Sequence, residues 1–169
     1  MKKLILATAI AMASFSALAS QGEVRFFGNV TSATCDVTPV VDGHVTDMIQ
    51  LGTVKTNATG EEIPFSFKAT NASGEECPSL TGKTATITWS GPITDQGIAN
   101  QTGLAEDAYV ILRAENATDG NDAITTAKNS SQFNAEKAIS DGFQFTAQLQ
   151  GGATPGDFET AAAYAVTYQ

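Results

Sequence analysis

Two cysteines, Cys35 and Cys77, and a single histidine, His44, are the residues of this 169-residue chain best suited to covalent or metal chemistry. A catalytic thiol needs a base beside it, and His44 sits in a turn-like Asp42-Gly43-His44 stretch that makes it a poor partner. One histidine cannot build a His-rich metal site, and the cysteines are too far apart in sequence for a zinc knuckle. Paired carboxylates, the tools of a glycosidase, occur at Glu61-Glu62, Glu75-Glu76 and Glu106-Asp107. Each has loop-like neighbours, where solvated surface charge is the better reading. Asp119-Gly120-Asn121-Asp122 hints at a calcium loop but lacks the ligand spacing and terminal glutamate of one, so it reads as a turn. No Gly-rich loop followed by Lys-Ser/Thr is present to cradle a phosphate. With no nucleophile-base set the chain reads as a non-enzyme, without cofactor or metal.

Asn-x-Ser/Thr triplets begin at Asn29, Asn57, Asn71, Asn116 and Asn129. A chain this rich in Asn, Ser, Thr and Ala produces them by chance.

The chain begins Met1-Lys2-Lys3, continues in an apolar run from Leu4 to Met12 and on through Phe15, and reaches the small-x-small triplet Ala17-Leu18-Ala19. That pattern is a secretory signal peptide over residues 1–19, cleaved after Ala19. Thr8, Ser14 and Ser16 interrupt the run, whereas a membrane span needs about 20 apolar residues. Export places Cys35 and Cys77 in an oxidising compartment, where an even pair in a small domain forms a disulfide. The formal charge of -9 includes Lys2 and Lys3, so the mature chain carries -11. Its remaining lysines and arginines are scattered, which excludes nucleic acid as a partner. Acidity of this kind keeps an exposed protein soluble.

The elements that must position these residues are strands. Val24-Arg25-Phe26, Ile63 to Phe67, Ala85 to Trp89, Phe143 to Leu149 and Tyr164 to Tyr168 alternate apolar and polar residues with period two, which buries one face and wets the other. Ala108 to Leu112 is continuously apolar, as for a strand covered on both sides. Gly, Asn, Asp, Ser and Thr clusters at Thr56–Gly60, Asn71–Glu76, Gly91–Gly103, Ala117–Asn134 and Gly151–Asp157 supply turn chemistry. Strands so spaced, with no helix beyond a turn of one at Ala135–Ile139, predict a single all-β, antiparallel sandwich. Trp89, Phe65, Phe67, Ile111, Phe143 and Phe145 are its expected core.

The two ends of the mature chain are strand patterns with no loop work to do. The first, Gly22 to Val30, places Gly22, Val24, Phe26, Gly28 and Val30 on one face; the second stops at Tyr168-Gln169 with no tail. Gly-x-Val-x-Phe-x-Gly-x-Val followed by Thr34-Cys35, a second cysteine after a Phe-x-Phe strand, and a penultimate tyrosine resemble the pilins of type 1 and P fimbriae. The resemblance spans the whole mature chain. Through Val30 to Cys35, Trp89-Ser90-Gly91, Leu112-Arg113-Ala114 and Ala147-Gln148-Leu149 it is greatest to the major subunits of K-ninety-nine-type enterotoxigenic fimbriae.

The resemblance implies an immunoglobulin-like β-sandwich over residues 31–169 that is incomplete, lacks its last strand, and is completed by a donor strand from a neighbouring subunit. Residues 20–30 would form the N-terminal donor-strand extension, with Gly22, Val24, Phe26, Gly28 and Val30 entering successive groove pockets, and Gly28 meeting a shallow one. Only Ser20-Gln21 precede Gly22, which is shorter than in type 1 pilins and leaves the first pocket to Gly22 or to nothing. Tyr164, Val166 and Tyr168 would line the groove and be read by a periplasmic chaperone. The implied partners are further subunits in a homo-polymer, that chaperone and an outer-membrane usher, with passage through the periplasm to a cell-surface fimbrium that supports adhesion to host cells. The alternative within the family is a subunit that itself binds host glycan as an adhesin, for which the loop from Ala117 to Asn134 is the place to look. From the residues alone, Val24 to Val30 could equally be the first strand of a complete sandwich.

Overall fold

A computed structural model describes residues 35–71, 77 and 80–169. The expected signal peptide, the expected donor residues Gly22, Val24, Phe26, Gly28 and Val30, and the Glu75-Glu76 pair lie outside the described residues. The described chain is all β apart from one short 3-10 turn. Its strands are β1 (Val37–Val41), β2 (His44–Val45), β3 (Thr59–Ala69), β4 (Thr84–Ser90), β5 (Ile98–Ala99), β6 (Tyr109–Ala114), β7 (Ser130–Asn134), β8 (Phe143–Gln150) and β9 (Ala163–Tyr168). They form a six-stranded sheet in the order β2-β1-β3-β8-β6-β5 and a three-stranded sheet in the order β7-β4-β9. Every strand pairing is antiparallel.

The period-two segments do what their patterning requires. In β8, Phe143, Phe145, Ala147 and Leu149 are buried and the residues between them are not; in β4, Ala85, Ile87 and Trp89 are buried in the same way. Residues two apart share one face of a strand, so each sheet offers one apolar face, and the two faces pack together. Phe145 is the centre of that layer. Its ring lies 5.6 Å from Phe65, 5.7 Å from Phe67, 5.6 Å from Trp89 and 5.5 Å from Phe133, rings contributed by both sheets. Phe65 stacks on it and the other three rings meet it tilted or edge-on, contacts that add to plain area burial.

Two expectations are corrected. β6 alternates half-buried and buried residues, so it is not covered on both sides, and Ile111 lies half-buried on its outer face rather than in the core. The pattern Tyr-Val-Ile-Leu is apolar throughout, but among the described residues no second layer covers the outward positions Tyr109 and Ile111. Glu61 and Glu62 stand in strand β3, not in a loop. A register shift between Thr59 and Glu62 inserts an extra residue there, and such a bulge leaves consecutive side chains exposed to solvent.

The remaining turn chemistry falls where a backbone needs it. The residues Ala135–Ile139 form the 3-10 turn, capped by the Asn134 side chain, which accepts from the Glu136 amide. Gly142 then turns the chain into β8 with φ +86°, a conformation that L side chains rarely adopt.

Candidate functional site

The candidate site is β9 and what holds it. β9 pairs with β4 in the register Ala85↔Tyr168, Ile87↔Val166 and Trp89↔Tyr164. Because Ala85, Ile87 and Trp89 face the core, the same register turns Tyr164, Val166 and Tyr168 toward it. Tyr168 is buried, and Tyr164 and Val166 are partly buried against the core cluster. The Tyr164 ring lies 4.4 Å from Phe67 of the opposite sheet. The sequence thus placed these three side chains on one face, and the structure brings them together there. Among the described residues β9 stands at the end of the three-stranded sheet.

Each tyrosine carries a hydroxyl that must find a partner once buried. The Tyr168 hydroxyl donates to the carbonyl oxygen of Cys35 at 2.8 Å, and the Tyr164 hydroxyl donates to the carbonyl oxygen of Val37 at 3.3 Å. Both bonds cross from the three-stranded sheet to the beginning of β1 in the six-stranded one. Burial pushes the Tyr168 phenol up to about 12, and the nearby Asp36 carboxylate adds to the rise. The Tyr164 phenol is raised for the same two reasons in the same order. Both are therefore neutral hydrogen-bond donors throughout the ordinary pH range.

Cys35 is held a second way, by its disulfide to Cys77, with Cα atoms 4.5 Å apart. The two residues sit on either side of β1 and β3, so the bond fastens the head of β1 to the connection that leads to β4. The chain entering β9 is fixed as well. Asn100 accepts from the Glu159 amide at 3.0 Å, and Gln101 accepts from the Ala161 amide at 2.7 Å. Past Tyr168, Gln169 and Thr84 exchange both backbone hydrogen bonds at 2.9 Å.

The residues considered first for chemistry do structural work. Asp107 accepts from the Ala153 and Thr154 amides, which hold its carboxyl below the usual carboxylate range. Asp119 and Asp122 share Lys128 as an ion-pair partner, at 3.7 Å and 3.4 Å, in an exposed turn. His44 is exposed on β2. Among the described residues no group of three or more His, Cys, Asp or Glu side chains is gathered as for a metal ion. Sequence reasoning missed the carbonyl partners at Cys35 and Val37, because no residue type announces where a distant phenol will land. It also passed over Asn100 and Gln101, although side-chain amides within a Gly-rich loop are a signal for binding backbone.

No protein-family model matches the chain. Among characterised relatives, the chain is 51% identical to the F107 fimbrial protein of Escherichia coli over 171 residues, covering all of both chains. It is 32% identical to the K99 fimbrial protein of Escherichia coli over 184 residues, covering 99% of each. A third relative, the Major MR/P fimbria protein of Proteus mirabilis, is 30% identical across 98% of this chain and 96% of its own. Among solved structures, the P pilus rod subunit PapA matches with a TM-score of 0.54 at 17% identity, over 87% of this chain and all of that one. That match concerns the fold, a β-sandwich of the same kind.

Proposed function

The chain belongs to the chaperone-usher fimbrial subunits, close to the K99 type, and from that premise we propose that it polymerises by donor-strand exchange. Fimbrial subunits assemble with one another into a surface fimbrium, and the question is how this one joins its neighbour. In the proposed reading, residues Ser20 to Val30 of one copy lie along β9 of the next. Gly22, Val24, Phe26, Gly28 and Val30 then face the core, and Tyr164, Val166 and Tyr168 form part of the wall they meet. The contact is an addition of one strand to a sheet, in which main-chain bonds give affinity and alternate side chains give specificity.

The observation that carries this reading is the inward face of β9: it is apolar and continuous with the core, on a strand that among the described residues stands at the end of the three-stranded sheet. In this reading the strand of a neighbour pairs along β9, and until it does so a cell must cover the apolar face that it would complete. We assign that task to a periplasmic chaperone that reads the C-terminal strand, with an outer-membrane usher as the site of exchange, and we place adhesion to host cells in the assembled fimbria.

The test is to express the mature chain in a periplasm with and without its chaperone, and to compare a variant lacking residues 20–30. Chaperone-dependent solubility together with loss of polymer in the truncated variant is the expected result. A soluble monomer that needs neither chaperone nor partner would overturn the reading.

A further inference from the structure

In a fimbria joined as proposed above, a pull along the fibre enters each subunit at one place and leaves at another. The outgoing arm continues from Cys35 at the head of β1, which belongs to the six-stranded sheet. The incoming strand lies on β9, which belongs to the three-stranded one. Tension must therefore cross from one sheet to the other inside every subunit. Apolar packing holds the sheets face to face, but dispersion contacts are individually weak and have no direction. Among the described residues, two directional links span this crossing: the Tyr168 hydroxyl to the Cys35 carbonyl and the Tyr164 hydroxyl to the Val37 carbonyl. The Cys35–Cys77 disulfide fixes the same point covalently to the connection between β3 and β4.

We propose that Tyr168 and Tyr164 are positioning residues that carry mechanical load from the root of the outgoing arm to the strand that grips the incoming one. The inference rests on the donor-strand reading. Their hydroxyls hold Cys35 and Val37 to β9, while the disulfide ties Cys35 covalently to the connection between β3 and β4. Spacing supports the assignment: carbonyls two residues apart, at Cys35 just before β1 and at Val37 where it begins, meet phenols four residues apart on β9, so both bonds act at the arm's root and leave the rest of β1 to its ladder with β3. A role confined to satisfying buried hydroxyls would need no such convergence on one short segment.

The experiment uses polymers of the full mature chain, held under constant load in a force instrument, and reads the lifetime of the link between subunits. Tyr168→Phe and Tyr164→Phe keep the rings in the core and remove only the hydroxyls. A net hydrogen bond is worth roughly one order of magnitude or less in an equilibrium constant, so the polymers that each variant forms, compared link for link with wild type whatever their yield, should show lifetimes about three- to tenfold shorter. Unchanged lifetimes in both variants would overturn the proposal. Should Tyr168→Phe fail to assemble, Tyr164→Phe decides alone: a shortened lifetime supports the load path, and a wild-type lifetime refutes it. Failure of the donor-strand reading looks different, since the variant lacking residues 20–30 would then still form polymers.

Discussion

The phenol of Tyr168 illustrates how one residue can serve the fold and its boundary at once. Its ring fills the core opposite Ala85 and its hydroxyl donates to Cys35, so its protonation is tied to folding. Burial raises its pKa in the folded protein to about 12, above the ordinary value of 10. The folded state therefore holds this proton more tightly than the unfolded chain does. The resulting stabilisation is fully present below pH 10 and is lost as the pH rises toward 12. Calorimetry of the assembled protein from pH 8 to 12 should show a steep fall in melting temperature above pH 10, and Tyr168→Phe should fall less. Parallel curves would mean that the phenol does not lose its partner on ionising. The disulfide makes a separate contribution. Closing a loop of 42 residues is worth about 4 kcal/mol in the chain-entropy model, against a total of roughly 5–15 kcal/mol for a domain. Replacing both Cys35 and Cys77 with Ala should therefore lower the periplasmic yield severalfold and shift the denaturant midpoint downward. An unshifted midpoint would place the stabilisation elsewhere.

At the scale of elements, the legible strands are those whose two faces differ. β3, β4, β8 and β9 each repeat an apolar residue every second position; in β4 and β8 the whole inward set is buried, in β3 Phe65 and Phe67 are, and in β9 Tyr168 is buried while Tyr164 and Val166 are partly so. β7 was hidden inside a polar stretch because its inward pair is Ser131 and Phe133, and a fully buried serine breaks the alternation that would mark it. β1 was hidden because Pro39 interrupts Val37–Val41 and because β2, the partner on its other side, is two residues long. The inward face of β9 could be read from Tyr164, Val166 and Tyr168, whereas the bonds that fix it could not. A phenol at 168 meets a carbonyl at 35 only after both sheets have closed. Turn glycines sit between these cases, visible as breakers without revealing their cost. At Gly142 an added Cβ would come within 2.9 Å of the Phe67 carbonyl and the Ser66 and Lys68 side chains, at φ +86°. All three contacts lie on β3 beside the turn into β8, so the backbone has little room to shift. Gly142→Ala should cost about 1–3 kcal/mol through strain at an unfavourable φ, read as a lower denaturant midpoint. A midpoint within error of wild type would show that the turn relaxes freely.

At the scale of the whole molecule, charge sets a condition on assembly. Once the expected signal peptide of residues 1–19 is removed the chain carries -11, and the proposed donor segment from Ser20 to Val30 holds one acid, Glu23, and one base, Arg25, so nearly all of that charge belongs to the body. Two bodies that approach for strand exchange repel one another, and the arm offers no net attraction to offset it. Exposed charges interact over a screening length of about 30 Å at 0.01 M salt and about 8 Å at 0.15 M. Repulsion should therefore slow encounter most at low ionic strength, the reverse of the steering seen between opposite charges. Polymerisation from chaperone-bound subunits, followed by light scattering, should run several-fold faster at 0.15 M salt than at 0.01 M, with little further gain beyond. The inward side chains of the proposed donor strand are apolar, so salt should change how often subunits meet more than how firmly they hold. Polymers formed at either concentration should then dissociate at similar rates. A rate that falls with salt would instead reveal opposite charges facing each other at the contact, and the acidic body would have to present a basic patch there, for which Lys55, Lys68 and Lys83 are the side chains to replace first.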